Sequence, residues 1–360
     1  MTLSPVFRSP SAVRLLRDEG IWDRLVPAIR SQAAAVERVH ADLAELIDPS
    51  FLGGGTSDAA SRTDGSPEAL AFLQEYFFLI LFRSLFESLG VAPDRLERYA
   101  ELNFCIKGTI TAADNIFDEQ AKSLLPLEAG RGPRFLSILQ LMCFERLIRR
   151  SLDRGIEAGE LGRDEADRIL RGLLDRMARI GRLEGSEEGG VSHVPEPETM
   201  IERVHRVRGG ILFALAFIPP SVLEKGEVRD RLLSAEPAVA KLGTAFQIVD
   251  DLTDFEFDVG RGSHNLLVSQ IHHHGSAAER RALSALQAGN GVASAALVEE
   301  HFREPALAVL ERAYAEARAS FRELGALGFW FPESLADEVV HAIVGLDGVR
   351  RMEALSAPRP

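Results

Sequence analysis

Helical periodicity runs through almost the whole chain and is the feature that most limits its fold. Apolar residues recur every three or four positions in one segment after another, which is the spacing of an amphipathic α-helix. No run alternates polar and apolar residues for long enough to predict a strand. The predicted fold class is therefore all-α. The expected helices lie at about 20–48, 67–89, 93–121, 134–157, 163–183, 198–217, 229–257, 276–288, 303–325 and 333–345.

The length and composition are compatible with one large domain or two smaller ones. The chain has 360 residues, of which 46% are hydrophobic, so it can bury a large core. Segments rich in Gly, Ser and acidic residues at 51–65 and 184–197 are predicted to be loops. We expect residues 1–66 to form N-terminal helices and a flexible Gly/Ser-rich loop. These lead into, or pack on, a main helical domain of residues 67–360.

Charge and cysteine content exclude several classes of function. The formal net charge of -13 argues against nucleic acid as a partner, because phosphates attract basic surfaces. Two cysteines, Cys105 and Cys143, are too few for a disulfide scaffold and favour a reducing cytoplasm. No secretory signal is visible, and the apolar runs at 76–82 and 211–219 are too short to span a bilayer. We therefore expect a cytoplasmic protein without an integral membrane segment.

Two acidic clusters lie inside predicted helices that are otherwise apolar. Asp114 and Asp118 form one cluster, and Asp250, Asp254 and Asp258 form the other. A spacing of four places the carboxylates of each cluster on one helix face, where they repel one another and are costly to desolvate. A bound cation relieves both costs, and oxygen ligands without nearby Cys or His favour Mg²⁺ over zinc. One such pair is usually a solvated face, but two together favour a metal site.

The residues around these clusters resemble those of the trans-isoprenyl diphosphate synthases. Residues 246–254 resemble the family's second aspartate-rich motif, and residues 114–118 resemble the first, with Asn115 in place of an aspartate. Arg208 stands where the family has a Lys that contacts the substrate diphosphate, and Phe213 follows it five positions later, as in the family. Arg keeps the positive charge and adds a planar fork of donors that suits phosphate oxygens.

This resemblance covers about residues 67–350 and implies the class I isoprenoid synthase fold, a helical bundle around a deep apolar cavity. It implies that Mg²⁺ bridges carboxylates to the diphosphate of a prenyl substrate. Three ions are expected when diphosphate is bound, and Mn²⁺ is possible in place of Mg²⁺. Arg208 then neutralises the remaining charge, and the leaving diphosphate creates an allylic cation. A homodimer is the assembly that the family implies. The expected metal ligands are Asp114, Asp118, Asp250, Asp254 and Asp258; all but Asp258 are, with Arg208, the expected catalytic residues.

Further residues near the motifs are candidates for substrate binding. Lys107 shares a helix face with Asp114 and is placed either to bind a second diphosphate or to balance the acidic face. Gln247 is placed to orient a metal-bound water, and Arg261 to reach a phosphate. Aromatic rings stabilise a cation by roughly 0.5 to 2 kcal/mol each, although packing in an ordinary core is the commoner role of a Phe. The aromatic candidates are Phe104, Phe117, Phe213 and Phe246.

The fate of the cation is predicted from two basic motifs that the chain lacks. Elongating members of the family carry bases at the positions of residues 53–58 and 122–125, and this chain has no such bases beyond Lys122. We therefore expect a terpene synthase, a carbon–oxygen lyase that releases diphosphate, and the row of Asp250, Asp254 and Asp258 is typical of that class. A chain-elongating prenyltransferase of the farnesyl or geranylgeranyl type stays as the alternative. A non-catalytic partner subunit of such a synthase is the second alternative.

Overall fold

The computed structural model places most of the chain in helices. Among the residues that it describes, the one strand-like feature is an isolated bridge between Leu52 and Leu127. The all-α prediction is therefore confirmed. The described residues are 17, 20–53, 67–117, 122–128, 132–289, 297–343, 351, 354 and 355.

The chain divides into two compact units. The amino-terminal unit contains residues 16–172 and 216–232, and the carboxyl-terminal unit contains residues 173–215 and 233–360. The domain boundary expected at residue 66 stays a prediction.

Long helices build the amino-terminal unit. Gly108 of the third helix lies against the ring of Phe144 in the fourth, where a Cβ atom would come within 2.1 Å of the ring, so glycine lets these two helices approach closely. Phe77 and Phe104 are buried in the same core. The helices are α1 (Ile21–Leu46), α2 (Pro67–Ser88), α3 (Pro93–Phe117) and α4 (Pro133–Glu157).

The carboxyl-terminal unit contains the second acidic cluster and Arg208. The first three of its helices also contribute residues to the amino-terminal unit. The helices of this unit are α5 (Arg163–Ser186), the helical stretch α6 (Pro197–Leu223), α7 (Gly226–Thr253), α8 (Phe255–Arg261), α9 (Leu266–His274), α10 (Ala277–Gln287), α11 (Leu297–His301), α12 (Arg303–Ala326) and α13 (Ala336–Ile343).

The middle of α6 departs from α-helical geometry. Ile201–Gly210 form a π-helix, a rare conformation that is frequent at functional sites. Gly209 at its end meets Gly243 of α7. A Cβ atom on Gly209 would lie 2.1 Å from the carbonyl oxygen of Gly243, and one on Gly243 would lie 2.2 Å from that of Gly209. The two helices therefore touch backbone to backbone, which only glycine allows.

Two helical stretches in the described part of the chain are long and apolar enough to cross a bilayer. They are Glu68–Ser88 and Pro197–Leu223, and 67% and 61% of their apolar windows are buried inside the protein. Such burial is typical of core helices. Both stretches are longer than the apolar runs recognised in the sequence, and they are weak indications of a membrane span.

The predicted helices differ from the observed ones at a few places. One helix was expected over 229–257, but Asp254 leaves helical geometry with φ -98° and ψ 13°, which separates α7 from α8. Helices α9 and α11 were not predicted. The segment 184–197 was expected to be a loop, yet α5 continues through Ser186, so that prediction was wrong for its first residues.

Candidate active site

Three aspartates form a row along α7 and α8. The amide of Asp254 donates to the carbonyl of Asp250 at 2.9 Å, and the amide of Asp258 donates to that of Asp254 at 2.8 Å. The helical hydrogen-bond ladder thus continues across the bend at Asp254 and keeps the three residues on one face. Asp254 is exposed, whereas Asp250 and Asp258 are half-buried.

Burial and the neighbouring carboxylates raise the pKa of Asp258. Burial has the largest effect, and the negative charges of Asp251, Asp254 and Asp250 add to it, so that the pKa reaches about 8 although a hydrogen bond from Asn265 lowers it. A carboxyl group in this state gains strongly from a nearby cation. The array therefore favours a divalent ion on electrostatic grounds.

The donor set suits Mg²⁺ that binds together with a phosphate ligand. In the described part of the chain, no three His, Cys, Asp or Glu side chains are already arranged as a metal site. Mg²⁺ usually takes only one or two protein carboxylates and completes its shell with water and substrate phosphates. A row of partly exposed carboxylates therefore fits Mg²⁺ better than a closed protein cage would.

Asp251, next to the row, joins three segments by hydrogen bonds. Its buried carboxylate accepts from Nε2 of His205 at 2.8 Å and from the amide of Leu266 at 2.5 Å. Its carbonyl accepts from Nδ2 of Asn265 at 2.7 Å, and the same Nδ2 donates to Asp258 at 2.8 Å. The π-helical segment, the aspartate row and the start of α9 are thereby held together.

Arg208 is bound by two carboxylates at the end of α5. Its Nε and Nη2 donate to Glu184, and its Nη2 also donates to Glu187 at 2.7 Å. Burial acts to lower the pKa of Arg208, but the charges of Glu184, Glu187 and Asp251 outweigh it and raise the pKa. The guanidinium is therefore a fixed positive charge beside the acidic cluster.

Glu187 is itself held by two donors from the turn that follows α8. Its carboxylate accepts from the amide of His264 at 3.1 Å and from Nδ1 of His264 at 2.7 Å. Burial acts to raise the pKa of Glu187, but the hydrogen bond from His264 and the charge of Arg208 lower it overall. Glu187 is therefore an ionised carboxylate enclosed by donors from two segments.

Four other candidates lie along the same helices. Nε2 of Gln247 donates to Asp250 at 3.3 Å. The rings of Phe213 and Phe246, from α6 and α7, lie 5.6 Å apart. The guanidinium of Arg261 lies over the exposed ring of Phe257, 5.2 Å from its centroid. The structure thus brings Gln247 to the aspartate row and pairs the two candidate rings.

The first acidic cluster belongs to the amino-terminal unit. Asp114 is exposed near the end of α3, and Asp118 lies outside the described residues. The buried Asn115 donates to the carbonyl of Lys122 at 2.7 Å and accepts from the amide of Lys122 at 3.2 Å. An amide side chain can both donate and accept, which an ionised aspartate cannot, and this explains the asparagine at that position.

The remaining candidates of this unit have partners of their own. Nζ of Lys107 donates to the carbonyl of Glu75 at 2.6 Å and to its carboxylate at 3.2 Å. Burial lowers the pKa of Lys107, while Glu75 opposes that shift. Phe104 is completely buried between Tyr76 and Phe144, whereas Phe117 is 46% exposed. The roles of these residues in substrate binding stay predictions.

Sequence reasoning missed the residues that connect the site. Asn265 alone had a local signal, because an Asn immediately before an apolar run is typical of a helix N-cap, and it does cap α9. The contacts of Asp251, His205, Glu187 and His264 join residues far apart in the chain. Helical periodicity cannot predict such contacts.

No family model and no curated protein matches the sequence, but solved structures match the fold. The decaprenyl diphosphate synthase from Rhodobacter capsulatus aligns with a TM-score of 0.56 and 17% identity, covering 89% of this chain and 98% of that one. The polyprenyl synthase from Caulobacter crescentus CB15, solved with calcium and isoprenyl diphosphate, aligns with a TM-score of 0.58 and 14% identity. This alignment covers 92% of this chain and 98% of that one. The polyprenyl synthetase from Streptomyces coelicolor A3(2) aligns with a TM-score of 0.52 and 20% identity, and the alignment covers 89% of this chain and 96% of that one.

The chain has the class I isoprenoid synthase fold. The fold that the sequence motifs implied is thereby confirmed over almost the full length of both proteins in each comparison. At these identities the similarity concerns the fold alone.

Proposed function

We propose that the chain is a Mg²⁺-dependent isoprenoid synthase that ionises an allylic prenyl diphosphate. The observation that carries this proposal is the row of Asp250, Asp254 and Asp258, which hydrogen bonds through Asp251 and Asn265 connect to the segment that contains Arg208. On a fold shared with a synthase solved with calcium and isoprenyl diphosphate, an acidic row beside a fixed cation suits a metal-bound diphosphate.

Each residue has a defined task in this proposal. The carboxylates of the row, with Asp114 and Asp118, would hold Mg²⁺, or Mn²⁺ in its place, and the metal would neutralise charge on the leaving diphosphate. Arg208 donates hydrogen bonds to phosphate oxygens. The rings of Phe213 and Phe246 stabilise the allylic cation through their negative faces.

For the fate of the cation we now favour chain elongation, which the sequence analysis kept as its alternative. The three solved structures described above are all named as polyprenyl or decaprenyl synthases. In this reaction isopentenyl diphosphate attacks the cation. Lys107 is the candidate base for its diphosphate. Its ammonium carries three donors and contacts the carbonyl and the carboxylate of Glu75.

Terpene cyclisation stays as a second candidate. It is favoured by the absence of basic residues at 53–58 and by the single base in 122–125, where elongating synthases bind the second diphosphate. A cytoplasmic location and a homodimeric assembly stay predictions.

One experiment separates these reactions. The protein is incubated with Mg²⁺ and geranyl, farnesyl or geranylgeranyl diphosphate, each with and without isopentenyl diphosphate, and the products are identified by mass spectrometry. A longer diphosphate formed only with isopentenyl diphosphate supports elongation. A hydrocarbon or alcohol formed without it supports cyclisation. No product under any condition overturns the enzymatic proposal and supports a non-catalytic partner subunit.

A further inference from the structure

Arg208 and His264 together form an anion-binding site, which the carboxylate of Glu187 occupies. Glu187 accepts from Nη2 of Arg208 at 2.7 Å, from the amide of His264 at 3.1 Å and from Nδ1 of His264 at 2.7 Å. The carboxylate is 6% exposed, and the side chains of its two partners are each 16% exposed. Glu184 binds the Nε edge of the same guanidinium.

The donors of this anion-binding site can bind a phosphate oxygen as well as a carboxylate. An ionised carboxylate can only accept, so Nδ1 of His264 carries a proton and donates. A guanidinium edge, a backbone amide and an imidazole N–H are each common ligands of phosphate. Arg208 is also the residue expected to bind the substrate diphosphate, and the glutamates occupy its Nε and Nη2 donors. A diphosphate that binds this edge of the guanidinium together with His264 must therefore displace Glu187.

The two glutamates lie on consecutive turns of the chain and reach Arg208 through their side chains. Glu184 lies in the last turn of α5, and Glu187 lies in the turn directly after it. Gly189 and Gly190 follow with φ of 89° and 88°, a conformation that glycine adopts without strain. The backbone of this turn is hydrogen bonded as well. The amide of Glu187 donates to the carbonyl of Glu184 at 3.1 Å, and the amide of Gly190 donates to that of Glu187 at 2.9 Å. A change of side-chain rotamer at Glu184 and Glu187 therefore suffices to release the carboxylates from Arg208 and His264, without movement of the backbone.

We propose that Glu184 and Glu187 are an internal competitor of the substrate diphosphate, and that His264 binds this diphosphate through its imidazole and its amide. The inference rests on the proposed function and adds a binding residue that no sequence motif indicated. Without substrate, the glutamates neutralise a partly buried guanidinium that would otherwise be costly to leave unpaired. Diphosphate carries more charge and more acceptor atoms, so it takes the same donors when it arrives with metal.

The test measures the affinity of inorganic pyrophosphate for the full chain by isothermal titration calorimetry at fixed Mg²⁺. Glu187→Gln removes the competing charge and keeps the size of the side chain, so we expect about tenfold tighter binding, the effect of one charge-assisted hydrogen bond. Glu184→Gln is expected to shift the affinity in the same direction. Glu188→Gln makes the same charge change at an exposed neighbour and serves as the matched control, with a change below about twofold.

A second comparison isolates His264. Replacement of its imidazole in His264→Ala, made in the Glu187→Gln background, is expected to weaken pyrophosphate binding by about tenfold, because one donor to the anion is lost. Unchanged affinity would overturn the assignment of His264 to the diphosphate site.

The outcomes separate this inference from the proposed function. If the wild-type chain binds pyrophosphate and Glu187→Gln binds it equally or more weakly, the competitor is overturned and the proposed function stands. If neither the wild-type chain nor the glutamate variants bind pyrophosphate with Mg²⁺, both are overturned. Thermal unfolding shows whether Glu187→Gln folds, and if it does not, Glu184→Gln, whose carboxylate is 32% exposed, decides the question.

Discussion

At the scale of the residue, two adjacent aspartates have different environments. Asp250 is half-buried in the acidic row, where its negative charge adds to those that raise the pKa of Asp258. Asp251 is 2% exposed, and His205 and Leu266 donate to its carboxylate. In the sequence Asp250 and Asp251 are indistinguishable. The structure shows that Asp250 is a candidate metal ligand and that Asp251 holds neighbouring segments together.

Asp250→Asn is expected to reduce turnover by about 100-fold or more, since one carboxylate that binds the metal is lost. Stability without metal is expected to stay the same or to rise, because one repelling charge is removed. The measurements are kcat and the urea midpoint. Asp230→Asn, an exposed position on the same helix α7, is the matched control. Full activity of Asp250→Asn would contradict the metal assignment.

The raised pKa of Asp258 predicts how stability depends on pH without metal. Its folded pKa of about 8 lies above the ordinary value of 3.8, so the folded state binds more protons than the unfolded state between these values. Stability contributed by this residue therefore falls as pH rises from about 4 to about 8. We expect Asp258→Asn to flatten this part of a profile of unfolding free energy against pH measured with a chelator. An unchanged slope in the variant would argue against the shifted pKa.

At the scale of the element, the contact between α6 and α7 fixes the geometry of the candidate site. Gly209 follows Arg208 directly, and Gly243 lies seven positions before Asp250. Their backbones touch, so the helix that carries the cation and the helix that carries the acidic row are held at a short, fixed separation. Any side chain inserted here must push the two helices apart.

Gly209→Ala is therefore expected to lower the unfolding free energy by about 3 kcal/mol, at the upper end of the usual cost of overpacking, because its Cβ atom would meet backbone. The control is Gly181→Ala on α5, where a Cβ atom meets nothing within 4 Å. That change is expected to raise stability by about 0.5 to 1 kcal/mol. Urea unfolding measures both. Similar effects of the two substitutions would show that the helix contact is not tight.

Helical periodicity predicted most elements but none of their irregularities. The helices that became α2 to α5 were placed within a few residues. The π-helical turns of Ile201–Gly210 were not predicted. His205 within them contacts Asp251, which lies 46 residues further along the chain, and no local pattern shows such a contact. The bend at Asp254 was also missed, since the i, i+4 spacing of the aspartates is the same with or without it. The spacing of the aspartates predicted the row itself. The hydrogen bonds that hold the row in place join residues far apart in the chain, and the sequence did not predict them.

At the scale of the whole molecule, the two acidic clusters belong to different units. Asp114 lies in the amino-terminal unit, and Asp250, Asp254 and Asp258 lie in the carboxyl-terminal unit. The family resemblance implies that one diphosphate is bound by both clusters. That implication is the part of the proposal that depends on the whole chain rather than on either unit alone.

Hydrogen exchange with mass spectrometry tests whether one diphosphate is bound by both acidic clusters. With Mg²⁺ and pyrophosphate together, we expect slower amide exchange at residues 250–266 and at 107–117, because a shared ligand stabilises both regions. Helix α1 serves as the internal reference. Protection confined to residues 250–266 would contradict a diphosphate bound by both clusters.

Helix α9 begins where the acidic side chains gather. Leu266 gives its amide to Asp251, and Asn265 caps the same end of the helix while it contacts Asp258. The aligned peptide dipoles of a helix leave about half a positive elementary charge at its N-terminus. The macrodipole of α9 thus offsets part of the mutual repulsion among the aspartates, and the protein can fold with these side chains in position before any cation arrives.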